Sequence, residues 1–176
     1  MDQHGTVVHV HSLTKILSPS LRVAALIARG PAAHRLRAAQ LVESFFVARP
    51  LQETALEFVG SPGWRRHLTA VHAEIATRRD TLAAALAARL PEAELRLLPI
   101  GGVHLWLRLP ADVDEGDLVE AARRNGVLVS PGRMYYASEP PGPHIRVTHI
   151  AAAHLPELNE GVRRLARALA ETRQPT

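Results

Sequence analysis

His11-Ser12-Leu13-Thr14-Lys15-Ile16-Leu17-Ser18-Pro19-Ser20-Leu21-Arg22 decides how this 176-residue chain is read. Lys15 is its only lysine; every other residue among the 21 Lys+Arg is arginine. Arginine cannot replace lysine as a nucleophile. Its guanidinium is delocalised and stays protonated, whereas an amine can be desolvated and deprotonated. Ser12 stands three residues before this amine, Thr14 is next to it, and Arg22 follows beyond a Ser-Pro-Ser turn. Hydroxyls and a forked guanidinium around an amine suit a phosphate-bearing aldehyde. The amine would form a Schiff base and the other groups would hold the phosphate.

Working outward, Thr6-Val7-Val8-His9-Val10 reads as a short buried strand running into the lysine stretch. A parallel strand needs neighbours on both sides. The first residues are therefore expected to be the cut edge of a larger sheet, with self-association or disorder over roughly the first thirty. Residues 21–28 read as the next strand. Residues 32–47 and 51–58 read as helices separated by Pro50. Ser61 is expected to cap a long helix over residues 64–90, with Leu68, Val71, Ile75, Leu82, Leu86 and Leu90 on one apolar stripe.

After Pro91 the period becomes two. Leu95 and Leu97 alternate with Glu94 and Arg96; Val103, Leu105, Leu107 and Leu109 alternate with His104, Trp106 and Arg108. An antiparallel pair with one apolar face is expected, packed on helices over residues 114–125 and 155–170. Asp114 is the expected N-cap of the first of these and Gly126 its C′ residue. Residues 127–129 and 145–147 read as short strands, with Arg146 facing away from Ile145 and Val147. Leu155, Leu158, Val162, Leu165 and Leu169 form the stripe of the last helix.

Composition narrows the function classes. There are no cysteines, which excludes disulfides and thiolate metal sites. No apolar run approaches a membrane span, and Met1-Asp2-Gln3-His4-Gly5 has no secretory pattern, so cytoplasmic residence is the default expectation. The net charge of +4 comes from arginines dispersed among 17 acids, and aromatic residues are only 4%. Direct nucleic-acid binding by this segment is not expected. His9 and His11 can share a strand face, but no third ligand stands at supporting spacing, and no metal site is expected. Ser12 and Lys15 also match a Ser-x-x-Lys acyl-enzyme signature. Those enzymes need Ser-Asp-Asn and Lys-Thr-Gly as well, and the second requires another lysine.

Three stretches in order carry a resemblance: Ser12-Leu13-Thr14-Lys15 with Ser18-Pro19-Ser20-Leu21-Arg22-Val23; Gly101-Gly102-Val103-His104-Leu105-Trp106; and Val129-Ser130-Pro131-Gly132-Arg133-Met134-Tyr135-Tyr136 leading to His144-Ile145-Arg146-Val147. The chain resembles the C-terminal portion of fold-type I, pyridoxal-phosphate-dependent class I/II aminotransferases. It is most similar to the aminotransferase-like domain of MocR-type (GntR-family) transcription regulators. The resemblance implies an α/β chain with an α+β C-terminal unit: the end of the large, cofactor-binding domain over residues 1–63, a connecting helix over 64–90, and a small domain over 91–176. It implies pyridoxal 5'-phosphate as cofactor, Lys15 as the Schiff-base and catalytic lysine, and Ser12 and Arg22 on the phosphate. Arg146 would take the carboxylate of an amino-acid substrate or effector, and Tyr135 and Tyr136 would line the pocket or pack. His11 stands where the family commonly has glycine. The family's ring-binding Asp, its stacking aromatic residue and, in the regulators, a winged helix precede the lysine, so the chain is expected to be incomplete and inactive by itself. Two readings follow: a transaminase acting on an amino acid, homodimeric at full length, or an effector-sensing module without turnover.

Overall fold

The alternation of Val103, Leu105, Leu107 and Leu109 is realised as an edge strand with all four side chains buried. In the computed structural model, which describes residue 2 and residues 4–173, the chain divides into two units, residues 1–71 and 72–176. The second unit is built on a three-stranded antiparallel sheet. Strands β3 (His104–Arg108), β4 (Ser130–Pro131) and β5 (His144–Thr148) lie in the order β3–β5–β4. Helices α4 (Glu115–Arg124) and α5 (Leu155–Thr172) and the later turns of α3 (Gly63–Arg89) supply the other side of the core. Leu105 opposite Val147 and Leu107 opposite Ile145 place four buried side chains on one sheet face.

The expected partner of β3, residues 95–97, does not occupy that place. Only an isolated Glu94–Arg108 bridge forms there, and Leu97 is 76% exposed. β5 takes one edge of β3, where Ile145 and Val147 match its apolar face in register, and on the opposite edge the pairing stops at the Glu94 bridge. Likewise the expected 127–129 strand is displaced to Ser130–Pro131.

The helix ends follow local chemistry. The Asp114 carboxylate accepts from the Gly116 and Asp117 amides at 2.7 and 3.0 Å, and Gly126 takes a positive φ of 75° just past the C-cap Asn125. Ser61 departs from expectation: its hydroxyl donates backward to the Phe58 carbonyl, closing α2 (Arg49–Gly60) instead of capping α3. In α3, Leu82, Leu86 and Leu90 beyond its end are buried, whereas Leu68, Val71 and Ile75 are half-buried.

One core residue sets a pH limit. His149 is fully buried and, among the described residues, neither ring nitrogen has a hydrogen-bond partner. Burial first, then the charges of His104, Arg79 and Arg78, lowers its pKa from the ordinary 6.5. A histidine pKa depressed by folding contributes stability that is complete above 6.5 and is lost as pH falls through the folded value. Urea unfolding at pH 7.5 and at pH ~5 is expected to show this acid loss, and His149→Leu to flatten it. An unchanged pH slope in His149→Leu would assign the loss to other groups.

In the first unit, β1 (His9–Ser12) pairs antiparallel with β2 (Ala24–Ile27), followed by α1 (Gly30–Glu43) and α2. Residues 6–8 are not strand, and β1 is exposed, which corrects the buried parallel strand expected there. Residues 21–23 are likewise not strand; a 3-10 turn, Pro19–Leu21, precedes β2. The pleat that an extended β-branched run would bury lies open, with Val10, Leu26 and Ile27 each more than half exposed. A two-stranded ribbon with apolar residues and open edges is an association site. The chain is expected to elute larger than a monomer by light scattering, and Val10→Lys with Ile27→Glu to shift it toward monomer; a wild-type monomer at all concentrations would count against this.

Candidate functional site

The lysine stretch is a turn held by its own apolar residues. Leu13 and Leu21 are buried with Ala55 of α2, and Ile16, Leu17, Val23, Leu51 and Trp64 pack on them. The polar residues between these anchors are left facing outward: Lys15 and Arg22 are exposed and Ser12 is half-buried. The β1–β2 ladder ends with Ser12 opposite Ala24, and the Leu13 amide donates to the Val23 carbonyl at 3.1 Å. Ser12 and Arg22 therefore flank the mouth of one loop, and Lys15 is an exposed residue within it. The Ser12 hydroxyl accepts from the Thr14 amide at 3.2 Å, and the Leu17 amide closes on the Leu13 carbonyl at 2.9 Å.

Arg22 adopts φ 52°, the left-handed region, where it ends the 3-10 turn whose N-cap Ser18 accepts from the Ser20 amide. A non-glycine residue held there costs about 1–2 kcal/mol. The strain is stored at the residue that carries the guanidinium. Among the described residues, neither Lys15 nor Arg22 forms an ion pair or a side-chain hydrogen bond. Residues 1–71 also hold eight of the chain's basic residues and four of its acids, so the whole net charge of +4 resides there. Two cationic groups without counter-charges among the described residues, and a hydroxyl, on one anchored loop, fit a phosphate-bearing group. His9 and His11 do share a face, their rings stacked 6.2 Å apart on the strand that leads into this loop.

Arg146 belongs to the second unit. It lies on the central strand β5, between Trp106 of β3 and Ser130 of β4. It faces away from the core, as the alternation predicts: Ile145 and Val147 are buried and Arg146 is half-buried. Its guanidinium carbon stands 4.4 Å from the centre of the Tyr135 ring, and Nη2 approaches the Ser130 hydroxyl at 3.5 Å. Trp106 meets Tyr135 and Tyr136 edge-on and stacks on His144. The tyrosines thus both pack and border the arginine. No carboxylate pairs with Arg146 among the described residues.

The turn that delivers Tyr135 rests on a buried carboxylate that the motif reading did not mark. Glu115, at the start of α4, accepts from the Arg133 amide at 2.9 Å and the His144 amide at 2.7 Å. In sequence it is one acid in an Asp-Glu-Gly-Asp run, with nothing to single it out. A cavity of about 460 Å³ opens elsewhere in this unit, lined by Leu82, Val147, Leu158 and Leu165 among others. It lies on the core side of β5, and none of the four candidate residues lines it. Among the described residues no helix is long and apolar enough to cross a membrane.

This arrangement has the architecture of the C-terminal region of fold-type I aminotransferases. The α-aminoadipate aminotransferase of Thermus thermophilus, solved in complex with N-(5'-phosphopyridoxyl)-L-leucine, superposes with a TM-score of 0.86 and 27% identity over 94% of this chain and 42% of that one. The kynurenine aminotransferase of Pyrococcus horikoshii, at 24% identity, shares the fold with a TM-score of 0.88 over 99% of this chain and 43% of its own. In sequence the chain is similar to the HTH-type transcriptional regulator TauR of Rhodobacter capsulatus, 30% identical over 96% of this chain and 35% of the regulator. It is also similar to the aromatic-amino-acid aminotransferase 1 of Thermococcus litoralis, 26% identical over 97% of this chain and 40% of that enzyme. Its homologues are thus MocR-type helix-turn-helix regulators and pyridoxal-phosphate aminotransferases. No protein-family profile matches the chain. The chain spans about a third of the regulators and two fifths of the aminotransferases it matches.

Proposed function

We propose that this chain carries the lysine and phosphate-binding part of a pyridoxal-phosphate site, together with the carboxylate-binding arginine of an amino-acid site, in an aminotransferase-like protein. The observation that supports this best is the Ser12–Arg22 loop: the sole lysine and a strained arginine, both without counter-charges among the described residues, held up by a buried apolar underside. Ser12 and Arg22 bind the phosphate, the hydroxyl by one hydrogen bond and the guanidinium by two in a plane. Lys15 would be the residue that holds the cofactor aldehyde, and its Nζ would serve as the base for the α-proton of the amino acid. Arg146 holds the α-carboxylate, its guanidinium steadied from below by the Tyr135 ring. Bound pyridoxal phosphate supplies the electron sink for that proton transfer.

On this reading residues 1–63 belong to the large domain, residues 64–90 connect, and residues 91–176 form the small domain of a protein that is homodimeric and cytoplasmic at full length. The similarity to helix-turn-helix regulators supports a second reading, in which the same residues bind pyridoxal phosphate and an amino-acid effector without turnover. Pyridoxal phosphate with borohydride is the test of the shared core. A stable label on Lys15, competed by inorganic phosphate, is expected. A label that phosphate does not displace would reject the phosphate cradle.

A further inference from the structure

We infer that His67 is a positioning residue for Lys15, acting through the peptide group that follows Ile16. His67 Nε2 lies 2.6 Å from the Ile16 carbonyl oxygen, a contact between residues 51 apart in sequence. A carbonyl only accepts, so Nε2 carries the proton. The N–H end of the same peptide group, on Leu17, donates to the Leu13 carbonyl at 2.9 Å. The peptide plane is thus held at both ends: by the turn on one side and by α3 on the other. Lys15 stands immediately before it. Fixing that plane restricts the backbone rotation that decides where the Lys15 side chain leaves the turn.

The imidazole is itself held in place. It stacks on Trp64 at 5.8 Å with 21° between planes, and Phe58 of α2 meets it edge-on at 5.3 Å. Trp64 packs on the Leu13–Leu21–Ala55 cluster beneath the lysine turn. The apolar cluster sets the height of the turn, and the His67 hydrogen bond sets its rotation. Apolar packing alone leaves a turn free to rock, because it has no directional preference; a hydrogen bond supplies one.

The inference rests on the proposed role of Lys15, and the test separates the two. The whole chain is compared with His67→Ala and with His67→Gln, whose amide can donate to the same carbonyl. One readout needs no cofactor: hydrogen exchange of the Leu17 amide. The other is borohydride-trapped pyridoxal phosphate on Lys15, located by peptide mapping. His67→Ala is expected to speed Leu17 exchange and to lower the labelling rate, each by roughly five- to tenfold, the worth of one neutral hydrogen bond. His67→Gln is expected to restore most of both. Unchanged exchange in His67→Ala would mean the bond does not hold the turn. Faster exchange with undiminished, phosphate-competed labelling would make His67 structural only, and either result overturns the inference. A wild-type chain that takes no label on Lys15 would instead overturn the proposed site, and the inference with it.

Discussion

Gly132→Ala is expected to destabilise the second unit by about 3 kcal/mol, the range of backbone-limited overpacking. A Cβ at Gly132 would stand 2.5 Å from His144 Cβ and 2.8 Å from the His144 carbonyl oxygen. Neither neighbour is the end of a flexible side chain. His144 begins β5, and its amide is fixed to the buried Glu115 carboxylate, so the strand cannot retreat without breaking that bond. Glycine is required here for close approach and not for an unusual φ. Gly161→Ala is the control. That glycine is inside α5 with nothing within 4 Å of an added Cβ, and alanine there is expected to gain about 0.5–1 kcal/mol from helix propensity. Urea midpoints should move in opposite directions. Equal shifts would mean that the β4–β5 junction yields easily. Because Tyr135 and Arg146 stand on the two sides of this junction, Gly132→Ala should also disturb the stacked guanidinium, which carboxylate titrations by NMR can follow.

Lys15→Arg is expected to abolish borohydride-trapped labelling at position 15, leaving only label on the α-amine, since arginine keeps the charge but has no nucleophilic amine. Arg22→Ala should reduce labelling of Lys15 by about tenfold or more, the worth of a charge-assisted hydrogen bond to phosphate at about 1.5–3 kcal/mol. Arg146→Ala should have a smaller effect, because its partner is the carboxylate of a substrate or effector and not the cofactor phosphate. Arg22→Gly sharpens the test. It relieves the backbone held at φ 52° and should stabilise the first unit while weakening the label as much as alanine does. A variant that is more stable and yet less reactive separates function from folding. The α-amine of Met1, which lies outside the described residues, is the demanding competitor. Such amines ordinarily titrate about 2.5 units below lysine side chains, so without a formed site the label belongs there. Mapping that finds the label on Met1 in the wild type, unchanged in Arg22→Ala, would show that the cradle is not formed.

Much of the molecule was legible from chain chemistry alone. The stripe Leu158, Val162, Leu165 and Leu169 gave α5 and its buried face, and Asp114 and Gly126 marked the ends of α4. Alternation gave the buried side of β3 and the outward side of Arg146. Lys15 stood out by being the only lysine, and Arg22 by its place beyond a turn. These features depend on residues a few positions apart, where propensity and periodicity act.

What sequence spacing could not convey was who neighbours whom. A period of two tells which face of β3 is apolar, but not which segment pairs with it along its length. That was β5, more than thirty residues on, while on the opposite edge the pairing stops at the Glu94 bridge. The β-branched 6–8 run has a strand composition, yet the ladder starts at His9 because β2 reaches no further. Glu115 under the Tyr135 turn, Gly132 against His144 and His67 behind the lysine loop are each ordinary in sequence. Their roles arise from hydrogen bonds and close approaches between segments far apart along the chain, and only the packed tertiary structure decides those.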